Sequence, residues 1–549
     1  MRLHTVSTTS RTLKGLLAAT AMTAGLTGVA YAQSAGNYTL TILHVNDLHS
    51  RLQQTNATGS SCSDKDAAEK KCFGGMARIV AKSKEIKAEV AAKNGNLLFV
   101  HGGDQFQGTL FFTHYKGKAD QEIVNRFGLD AATLGNHEFD SGPAVLAEYL
   151  TGVNFPVVTA NIDLSGEPKL KGLVQPYIIV ERGGEKIGII GGITMDTPIT
   201  SSPGPTVKFL DDITSIQKYV NEIKALGVNK IIAVTHIGLV RETQIAEAVT
   251  GLDVIAGGHS HSLLSNTAKD AVAPAPVVVN KKDGSKTLLV QAGEYTKYLG
   301  RLDVTFNGKG EVASWNGEPI LLDASVAEDK ETADRIAALD KPIQEMKNRP
   351  VGEAKAAIDG DRKNCRQKEC TMGNLVSDAL LSATKSKGTQ IVIMNGGGLR
   401  TSIDQGPVTL GEVLTVLPFQ NTIATMKLKG SDVVAALENG FSKVEEEQGR
   451  FPQVAGLRIT WDRKKPAMSR VVSVEVADGA SFKPIDPNAI YSVATNDFMR
   501  RGGDGFSVFK DKSIDAYDFG PNLEDTVASY IGANSPYEPK IEGRIKEVQ

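Results

Sequence analysis

Short polar motifs rich in aspartate, asparagine and histidine recur through the first half of the chain. In order they are Asn46-Asp47-Leu48-His49, Gly102-Gly103-Asp104, Gly135-Asn136-His137-Glu138-Phe139-Asp140, Thr235-His236 and Gly257-Gly258-His259-Ser260-His261. Imidazole nitrogens mixed with carboxylate and amide oxygens suit divalent cations such as zinc, manganese or iron. Two such cations, about 3.5–4 Å apart, can bridge a hydroxide and clamp the attacking and leaving oxygens of phosphoryl transfer. These residue types therefore predict phosphoester chemistry at a centre of two metal ions.

Each of these motifs follows an apolar run that predicts a short buried strand. The predicted strands of this half are Tyr38–Val45, Leu97–His101, Ala131–Leu134, Val157–Asn161, Ile187–Ile193, Ile231–Thr235 and Val254–Ala256, with further runs at Val277–Val279, Thr287–Gln291 and Gly300–Phe306. Amphipathic helices are predicted between several of them, at Met76–Lys93, Ile213–Leu226 and Glu242–Val249. Side chains at the carboxyl ends of such strands point into the crevice where ligands bind. The pattern therefore predicts an α/β fold that gathers the motifs at one edge of a sheet.

A second unit of different texture follows residue 350. Residues 323–349 are charged and helix-prone from Val326 to Met346, and we interpret them as a connecting helix. The second unit has predicted helices at Gly373–Ser386 and Ser431–Phe441, and strands at Gln390–Met394, Thr422–Leu428, Leu457–Trp461, Val471–Val476 and Tyr491–Thr495. A chain of 549 residues is too long for one core, so two or more domains are expected.

Composition excludes several classes of protein. Hydrophobic residues make up 41% of the chain and charged residues 23%, which excludes wholesale disorder. The net charge of -2 gives no electrostatic basis for binding a nucleic acid polymer or an anionic membrane. All nine histidines precede residue 262, so imidazole-based chemistry belongs to the first half.

The amino terminus has the features of an export signal. Residues 1–32 combine Arg2, Arg11 and Lys14 with an uncharged stretch from Leu16 to Val29 and a small-x-small cleavage pattern at 30–32. The alternative is an amphipathic first helix, but the stretch has no polar face. The carboxyl end is polar and offers no lipid-anchor signal. We therefore expect a periplasmic or secreted protein without a membrane anchor.

The four cysteines form two close pairs, Cys62 with Cys72 and Cys365 with Cys370. In an oxidising compartment each pair is a plausible local disulfide. A zinc site is the alternative, but neither pair has the C-x2-C spacing or a histidine close by in sequence. We therefore predict two disulfides.

The motifs NDLHSR, GGDQFQG, GNHEFD, THIG and GGHSH resemble those of the calcineurin-like metallophosphoesterases, and within them the 5'-nucleotidase family, most of all the ecto-5'-nucleotidase type. The resemblance implies a four-layer β-sandwich flanked by helices over residues 36–322, a linker helix over 323–349 and a second α/β, substrate-binding domain over 350–549. It also implies a ligand set. One metal ion would be held by Asp47, His49 and His261, the other by Asn136, His236 and His259, with Asp104 bridging the two.

The same resemblance assigns roles beside the metals. His137 and Asp140 would be a catalytic pair that does not bind metal, since a histidine facing the phosphate can stabilise charge or assist the leaving oxygen. Arg51 would lie close to the phosphate. His44, His101 and His114 match no ligand position, and we expect them to be structural.

The second unit contains aromatic, arginine, asparagine and aspartate residues in an order that resembles the nucleoside-binding domain of 5'-nucleotidases. By that resemblance Phe419 and Phe498 sandwich the base, Asp504 binds the ribose hydroxyls and Asn395 contacts the base. Arg366 and Arg400 would approach the phosphate, for which arginine forks are well suited. Aromatic faces hold a base by stacking worth roughly 1–3 kcal/mol.

The resulting prediction is an exported, two-metal 5'-nucleotidase that hydrolyses nucleoside 5'-monophosphates such as AMP, as in nucleotide catabolism. A UDP-sugar hydrolase, a nucleoside di- or triphosphate hydrolase and a 2',3'-cyclic phosphodiesterase/3'-nucleotidase are rivals on the same scaffold. A non-enzymatic metal- or nucleotide-binding protein is a further alternative, against which the His137–Asp140 pair argues. Native metal, base preference and oligomeric state are left open.

Overall fold

The computed structural model describes residues 36–56, 62–419, 421–479, 481–518 and 520–548. The predicted export signal, residues 1–32, lies outside the described residues. The helices are α1 (Asp64–Ala68), α2 (Met76–Ala92), α3 (Leu110–Tyr115), α4 (Lys118–Val124), α5 (Gly142–Gly152), α6 (Thr197–Thr200), α7 (Asp212–Ala225), α8 (Leu239–Ala248), α9 (Lys330–Asp340), α10 (Gln344–Lys347), α11 (Arg362–Cys365), α12 (Thr371–Thr384), α13 (Leu410–Val416), α14 (Gly430–Phe441), α15 (Asp497–Arg500), α16 (Ser507–Asp511) and α17 (Leu523–Ala533). Short 3-10 helices lie at His137–Phe139, Lys341–Ile343, Lys385–Lys387, Gly396–Gly398, Val444–Glu446 and Gly503–Gly505.

The strands of the first half are β1 (Tyr38–Val45), β2 (Asn96–His101), β3 (Ala131–Ala132), β4 (Ile162–Asp163), β5 (Tyr177–Arg182), β6 (Glu185–Ile193), β7 (Lys208–Phe209), β8 (Ile231–His236), β9 (Val254–Ala256), β10 (Val277–Asn280), β11 (Lys286–Val290), β12 (Tyr298–Phe306), β13 (Val312–Gly317) and β14 (Ile320–Leu321). Those of the second half are β15 (Pro350–Ala354), β16 (Ile391–Asn395), β17 (Gly406–Thr409), β18 (Ile423–Lys429), β19 (Pro452–Ala455), β20 (Leu457–Trp461), β21 (Val471–Asp478), β22 (Ser481–Pro484), β23 (Ile490–Asn496), β24 (Ile514–Tyr517) and β25 (Ile545–Glu547).

Two six-stranded sheets face each other in the first half. One has the order β13-β12-β1-β2-β3, with β14 also paired to β12, and the other has the order β10-β11-β9-β8-β6-β5. Between them lies a dry apolar layer that takes side chains such as Leu40 and Leu98 from one sheet and Ile189 and Ile232 from the other. Helices α7 and α8 cover the outer face of the second sheet, and α2 packs in the cluster on the outer face of the first. This is the four-layer sandwich that the resemblance implies.

The parallel strands explain why the polar motifs meet. β1 runs parallel to β2, and β2 parallel to β3. In the second sheet β6, β8 and β9 are parallel to one another. The motifs at residues 46–49, 102–104, 135–140, 236 and 257–261 all leave the carboxyl ends of these strands. They therefore emerge on the same side of the sandwich.

The second half builds its own sheets. A five-stranded sheet has the order β19-β16-β23-β18-β24, and a four-stranded sheet has the order β22-β21-β20-β25. Helix α14 packs with the four-stranded sheet around Phe441 and Trp461, whose rings stack at 4.7 Å. Helices α12 and α17 belong to the apolar cluster that continues into the first half. The two halves therefore share a packed boundary.

Two secondary-structure predictions are wrong in detail. Val157–Asn161 is not a strand, because its backbone hydrogen bonds go to separate neighbours at Ala132, Gln175 and Gly191 and no single strand runs beside it. The expected helix from Val326 to Met346 is instead α9, a 3-10 turn and α10. Pro342 has no N–H to donate, which explains the interruption.

Both predicted disulfides are present, Cys62–Cys72 and Cys365–Cys370, with Cα–Cα separations of 5.7 and 5.1 Å. Within the described residues, none of the helices combines the length and apolar character needed to span a bilayer.

Candidate metal centre and substrate cleft

The candidate ligands sit on backbone that most side chains avoid. Asp47, His49, Asp104, His259 and His261 all have φ between 50° and 75°, in the left-handed region. Such conformations cost of order 1–3 kcal/mol each for residues other than glycine, and they cluster at functional sites. The strand ends are therefore bent to aim these side chains at one point.

The first cluster consists of Asp47, His49 and His261. The Nε2 atoms of the two histidines are 3.1 Å apart, and Nε2 of His261 is 3.1 Å from Oδ1 of Asp47. The outer nitrogens are occupied: Nδ1 of His49 donates to the Phe106 carbonyl at 3.1 Å, and Nδ1 of His261 contacts the Glu294 carboxylate. These partners fix the tautomers so that both Nε2 lone pairs point at the cluster.

The second cluster consists of Asp104, His236 and His259. Oδ2 of Asp104 lies 3.0 Å from Nε2 of His236 and 3.6 Å from Nε2 of His49, so this carboxylate faces both clusters. Oδ1 of Asn136 lies 3.0 Å from Nδ1 of His259. Asp104, the predicted bridging residue, therefore lies beside the residues predicted to hold the second ion.

The donor set fits divalent cations. Nε2 of His236 is buried and lies 3.0 Å from Oδ2 of Asp104, while its Nδ1 donates to the Gly102 carbonyl at 2.7 Å. Burial alone would lower the pKa of His236, but the Asp104 and Asp47 carboxylates outweigh it and raise that pKa to about 10. Positive charge is therefore favoured at this nitrogen, where a bound cation would take the place of the proton. Burial raises the pKa of Asp47 to about 7, and the neighbouring Asp104 adds to the rise against the opposing effect of His236. Carboxylates placed side by side in this way call for positive charge between them.

Burial also keeps imidazoles in the form that metals bind. It lowers the pKa of His49, His259 and His261 well below the ordinary histidine value, so that these rings stay neutral. Metal ligation requires the neutral imidazole.

Several residues that hold the site were missed from the sequence. The Glu138 carboxylate accepts from the backbone N–H groups of Asp104, Gln105, Phe106 and Gly135, which joins the second and third motifs. The Glu242 carboxylate accepts from Thr235 Oγ1 at 2.8 Å and from the Gly258 N–H at 3.3 Å. Glu138 lies inside the GNHEFD motif, so its position could have indicated a role in the site. No motif surrounds Glu242, so its local sequence does not indicate such a role.

His137 and Asp140 form a hydrogen-bonded pair. They lie three residues apart on a single 3-10 turn, and Nδ1 of His137 donates to Oδ2 of Asp140 at 2.6 Å. The backbone N–H of His137 donates to Oδ1 of Asp104 at 3.0 Å, and the His137 ring lies with its centroid 5.2 Å from that of His49, so the residue borders both clusters. Burial alone would lower the pKa of His137, but the Asp140 and Asp104 carboxylates outweigh it and raise that pKa.

A cavity of about 400 Å³ opens between the two halves over this centre. From the first half it is lined by Asp104, Asn136, His137, Asp140, His259 and His261, and from the second by Arg362, Arg366, Asn395, Arg400, Phe419, Phe498 and Asp504. The predicted residues of both halves therefore meet in one cavity. Its volume falls in the range of small-molecule sites.

Phe419 touches the opposite half directly. Its ring stacks on that of His137 with centroids 5.7 Å apart and planes 25° apart, and the Arg400 guanidinium lies 5.6 Å from its centroid. Phe498 lines the same cavity. Asn395 donates to Oδ2 of Asp504 at 2.6 Å, and burial raises the pKa of Asp504. The aromatic and polar residues predicted to bind a nucleoside thus line the cavity beside His137.

Three arginines give the cavity positive charge. Nη2 of Arg400 lies 3.4 Å from Nε2 of His49, directly at the first cluster. Burial, followed by repulsion from Arg362 and Arg400, lowers the pKa of Arg366. The Nε atoms of Arg362 and Arg366 are buried without a hydrogen-bond partner in the described part of the chain. Arg362 was missed, although it precedes Arg366 by one helical turn of α11.

Arg51 does not line this cavity. Its guanidinium is buried behind His49, lies 4.2 Å from the centroid of the Tyr295 ring and donates to the His49 carbonyl at 3.1 Å. Tyr295, also missed from the sequence, donates through its hydroxyl to the Arg400 carbonyl at 3.2 Å. Arg51 and Tyr295 therefore support the His49 loop. The predicted position of Arg51 close to the phosphate stays a prediction, and its Nε and Nη2 atoms are buried without a hydrogen-bond partner among the described residues.

The remaining histidines lie outside both clusters. His44 is buried in β1 against Gly300, and burial lowers its pKa to about 4. Burial likewise lowers the pKa of His101 to about 4, and its Nδ1 accepts from the Gly103 N–H at 2.9 Å. His114 is on α3, with its ring against Tyr115.

Comparisons with known proteins match both halves. Residues 40–263 match the model of the calcineurin-like phosphoesterases, and residues 350–511 match that of the 5'-nucleotidase C-terminal domain. The chain is 37% identical to a 5'-nucleotidase of Bos taurus over 93% of this chain and 92% of that protein. It is 38% identical to a trifunctional nucleotide phosphoesterase protein of Bacillus subtilis, over 93% of this chain but 35% of that protein. The crystal structure of a 5'-nucleotidase precursor from Thermus thermophilus is similar with a TM-score of 0.88 and 43% identity, covering 93% of this chain and 99% of that one.

Proposed function

The chain belongs to the 5'-nucleotidase family of metal-dependent phosphoesterases, and on that premise we propose that it hydrolyses nucleoside 5'-monophosphates such as AMP to nucleoside and phosphate. The observation that carries this proposal is one cavity lined both by Phe419 and Phe498 and by residues of the two ligand clusters, namely His261 of the first and Asp104 and His259 of the second. A nucleoside monophosphate has an aromatic base that suits the phenylalanine rings and an anionic phosphate that suits bound cations. Membership of an enzyme family argues against a protein that only binds metal or nucleotide.

Two divalent ions fit the proposed centre. Asp47, His49 and His261 would hold one ion, Asn136, His236 and His259 the other, and Asp104 would contact both. When bound, such ions supply a nucleophile at neutral pH and neutralise charge on the phosphoryl oxygens. Zinc and manganese both suit this mixture of nitrogen and oxygen ligands.

The second half would recognise the substrate. Phe419 and Phe498 would sandwich the base, Asp504 would accept hydrogen bonds from the ribose hydroxyls, and Asn395 would contact the base. Arg366 and Arg400 would neutralise the phosphate, and we add Arg362 to them because it lines the same wall. In this division of labour residues 36–322 supply the chemistry, residues 350–549 select the substrate, and residues 323–349 join the two.

Export is part of the proposal. Two disulfides are present, and disulfides persist in oxidising compartments. Together with the export signal predicted over residues 1–32, they support a periplasmic or secreted location.

The test is phosphate release from AMP, UMP, ADP, ATP, UDP-glucose and 3'-AMP, measured with Mn²⁺, Zn²⁺ or Co²⁺ and again after removal of metal by a chelator. We expect the highest kcat/KM with a nucleoside 5'-monophosphate, loss of activity on chelation and recovery when metal is returned. A higher kcat/KM with UDP-glucose, ADP or 3'-AMP than with any nucleoside 5'-monophosphate would favour the corresponding alternative activity. The trifunctional relative makes this panel necessary.

Replacing Phe498 by alanine is expected to raise KM for AMP about 10- to 100-fold while kcat changes little, since stacking contributes roughly 1–3 kcal/mol per base. Steady-state kinetics with AMP measure the effect, and p-nitrophenyl phosphate, which has no base to stack, should show none. The control is Phe482→Ala, which removes a ring on β22 that packs against the Arg458 guanidinium. An unchanged KM for AMP in Phe498→Ala would contradict the stacking role.

A further inference from the structure

We propose that Ser201 is a positioning residue for the His137–Asp140 pair. This inference rests on the proposed function, in which that pair acts on the substrate. Ser201 is the residue that directly follows α6, where the backbone is extended, and it lies in the segment between β6 and β7. Its Oγ donates to Oδ1 of Asp140 at 2.6 Å.

The hydroxyl completes the hydrogen bonding of Asp140. Oδ2 of Asp140 accepts from Nδ1 of His137 at 2.6 Å, and Oδ1 accepts from Ser201 at 2.6 Å. With both oxygens engaged, the carboxylate cannot rotate without breaking a short hydrogen bond. Ser201 therefore fixes the plane of the Asp140 carboxylate, and Asp140 in turn fixes the His137 ring. The hydrogen bond to Asp140 occupies Nδ1 of His137, so Nε2 is the nitrogen that faces away from Asp140.

The segment that carries Ser201 is itself tied to both halves. The N–H of Thr194 donates to the carbonyl of the candidate ligand His236 at 2.8 Å, and the Thr197 hydroxyl donates to the Thr194 carbonyl at 2.7 Å. On the other side, Nζ of Lys443 lies 3.4 Å from Oδ2 of Asp196. Ser201 is thus held in register with the metal centre and with the substrate-binding half, as a positioning residue requires.

The expected effect is on turnover. In Ser201→Ala we expect kcat for AMP to fall about 10-fold, the lower end of the range for outer partners that orient active-site groups, with KM within twofold of the wild type. Ser201→Thr keeps the hydroxyl and should restore most of the activity. The matched control is Thr206→Ala, which removes a hydroxyl–carboxylate hydrogen bond of 2.7 Å to Glu167 from the same segment, on the exposed surface.

A double-mutant cycle separates positioning from general support of the segment. If Ser201 acts through Asp140, then Ser201→Ala should cause no further loss in an Asp140→Ala background. A tenfold loss that persists in that background would overturn the proposal, as would equal kcat values for Ser201→Ala and the wild type. Melting temperatures of all variants show whether each is folded. If the Ser201→Ala protein is unfolded, Ser201→Cys replaces it in the same double-mutant cycle.

The wild type decides whether the proposed function holds. If it releases no phosphate from AMP, that function fails, and the same variants are then compared on the substrate of the panel that the wild type hydrolyses with the highest kcat/KM, where the cycle still tests Ser201. Absence of coupling between Ser201 and Asp140 with AMP would overturn the Ser201 role while leaving AMP hydrolysis by the wild type intact.

Discussion

Replacement of Asp104 by alanine is expected to lower kcat/KM for AMP by about 1,000-fold or more. Its Oδ2 atom faces His49 at 3.6 Å and His236 at 3.0 Å, one from each cluster. Removal of this carboxylate leaves both proposed sites incomplete and also frees the backbone N–H of His137, which it now holds. Metal ions contribute several kcal/mol to phosphoryl transfer, and about 1.4 kcal/mol corresponds to a tenfold change in rate.

Two measurements check this expectation. Phosphate release gives the loss of activity, and elemental analysis of the purified protein gives the number of bound metal ions per chain, which should fall below that of the wild type. Asp283→Ala, which removes a carboxylate that accepts from the N–H and the hydroxyl of Ser285 in an exposed turn, is the control. Activity within tenfold of the wild type, or an unchanged metal content, would contradict the bridging role of Asp104.

The metal centre could be predicted because its determinants are local. Each candidate ligand comes a few residues after an apolar run, and β1, β8 and β9 lie within a residue of their predicted bounds. Parallel strands end on the same side of a sheet, so order along the chain brings His49 close to Asp104 in one sheet and His236 close to His261 in the other. The packing of the two sheets against each other, which joins these groups, was implied by the family resemblance.

The supports of the centre could not be predicted in the same way. Glu294 and Tyr295 reach the first cluster from the loop after β11, far along the chain from His49. Nothing in their neighbours distinguishes them from ordinary loop residues. Arg51 follows the left-handed turn at His49 and Ser50, and its guanidinium is buried against Tyr295, a neighbour that the motif did not indicate; its predicted position close to the phosphate stays a prediction.

The boundary between the halves was also beyond local reasoning. The stack of Phe419 on His137 joins residues from different halves of the chain, and no periodic pattern encodes their approach. This contact has a functional consequence. Because Phe419 is the proposed base-stacking residue, His137 lies between the metal clusters and the nucleoside side of the cavity, where the oxygen that joins phosphorus to ribose would be.

Replacement of His137 by alanine is therefore expected to lower kcat for AMP about 10²- to 10³-fold, a typical loss for removal of a general acid. In this role a proton on the imidazole passes to the ribose 5'-oxygen as its bond to phosphorus breaks. Nδ1 of His137 is held by Asp140, which leaves Nε2 to face the leaving oxygen. The metal content of the variant should equal that of the wild type, since His137 belongs to neither cluster.

The leaving group provides the decisive comparison for His137. p-Nitrophenolate departs without protonation, so His137→Ala should lose less than about tenfold in kcat on p-nitrophenyl phosphate while losing far more on AMP. His114→Ala, on the exposed face of α3, is the matched control. Equal losses on the two substrates would show that His137 stabilises charge on the phosphoryl group and does not protonate the leaving oxygen. A general acid must lie on the nucleoside side of the phosphorus, and the contact of His137 with Phe419 at 5.7 Å is the reason to expect unequal losses.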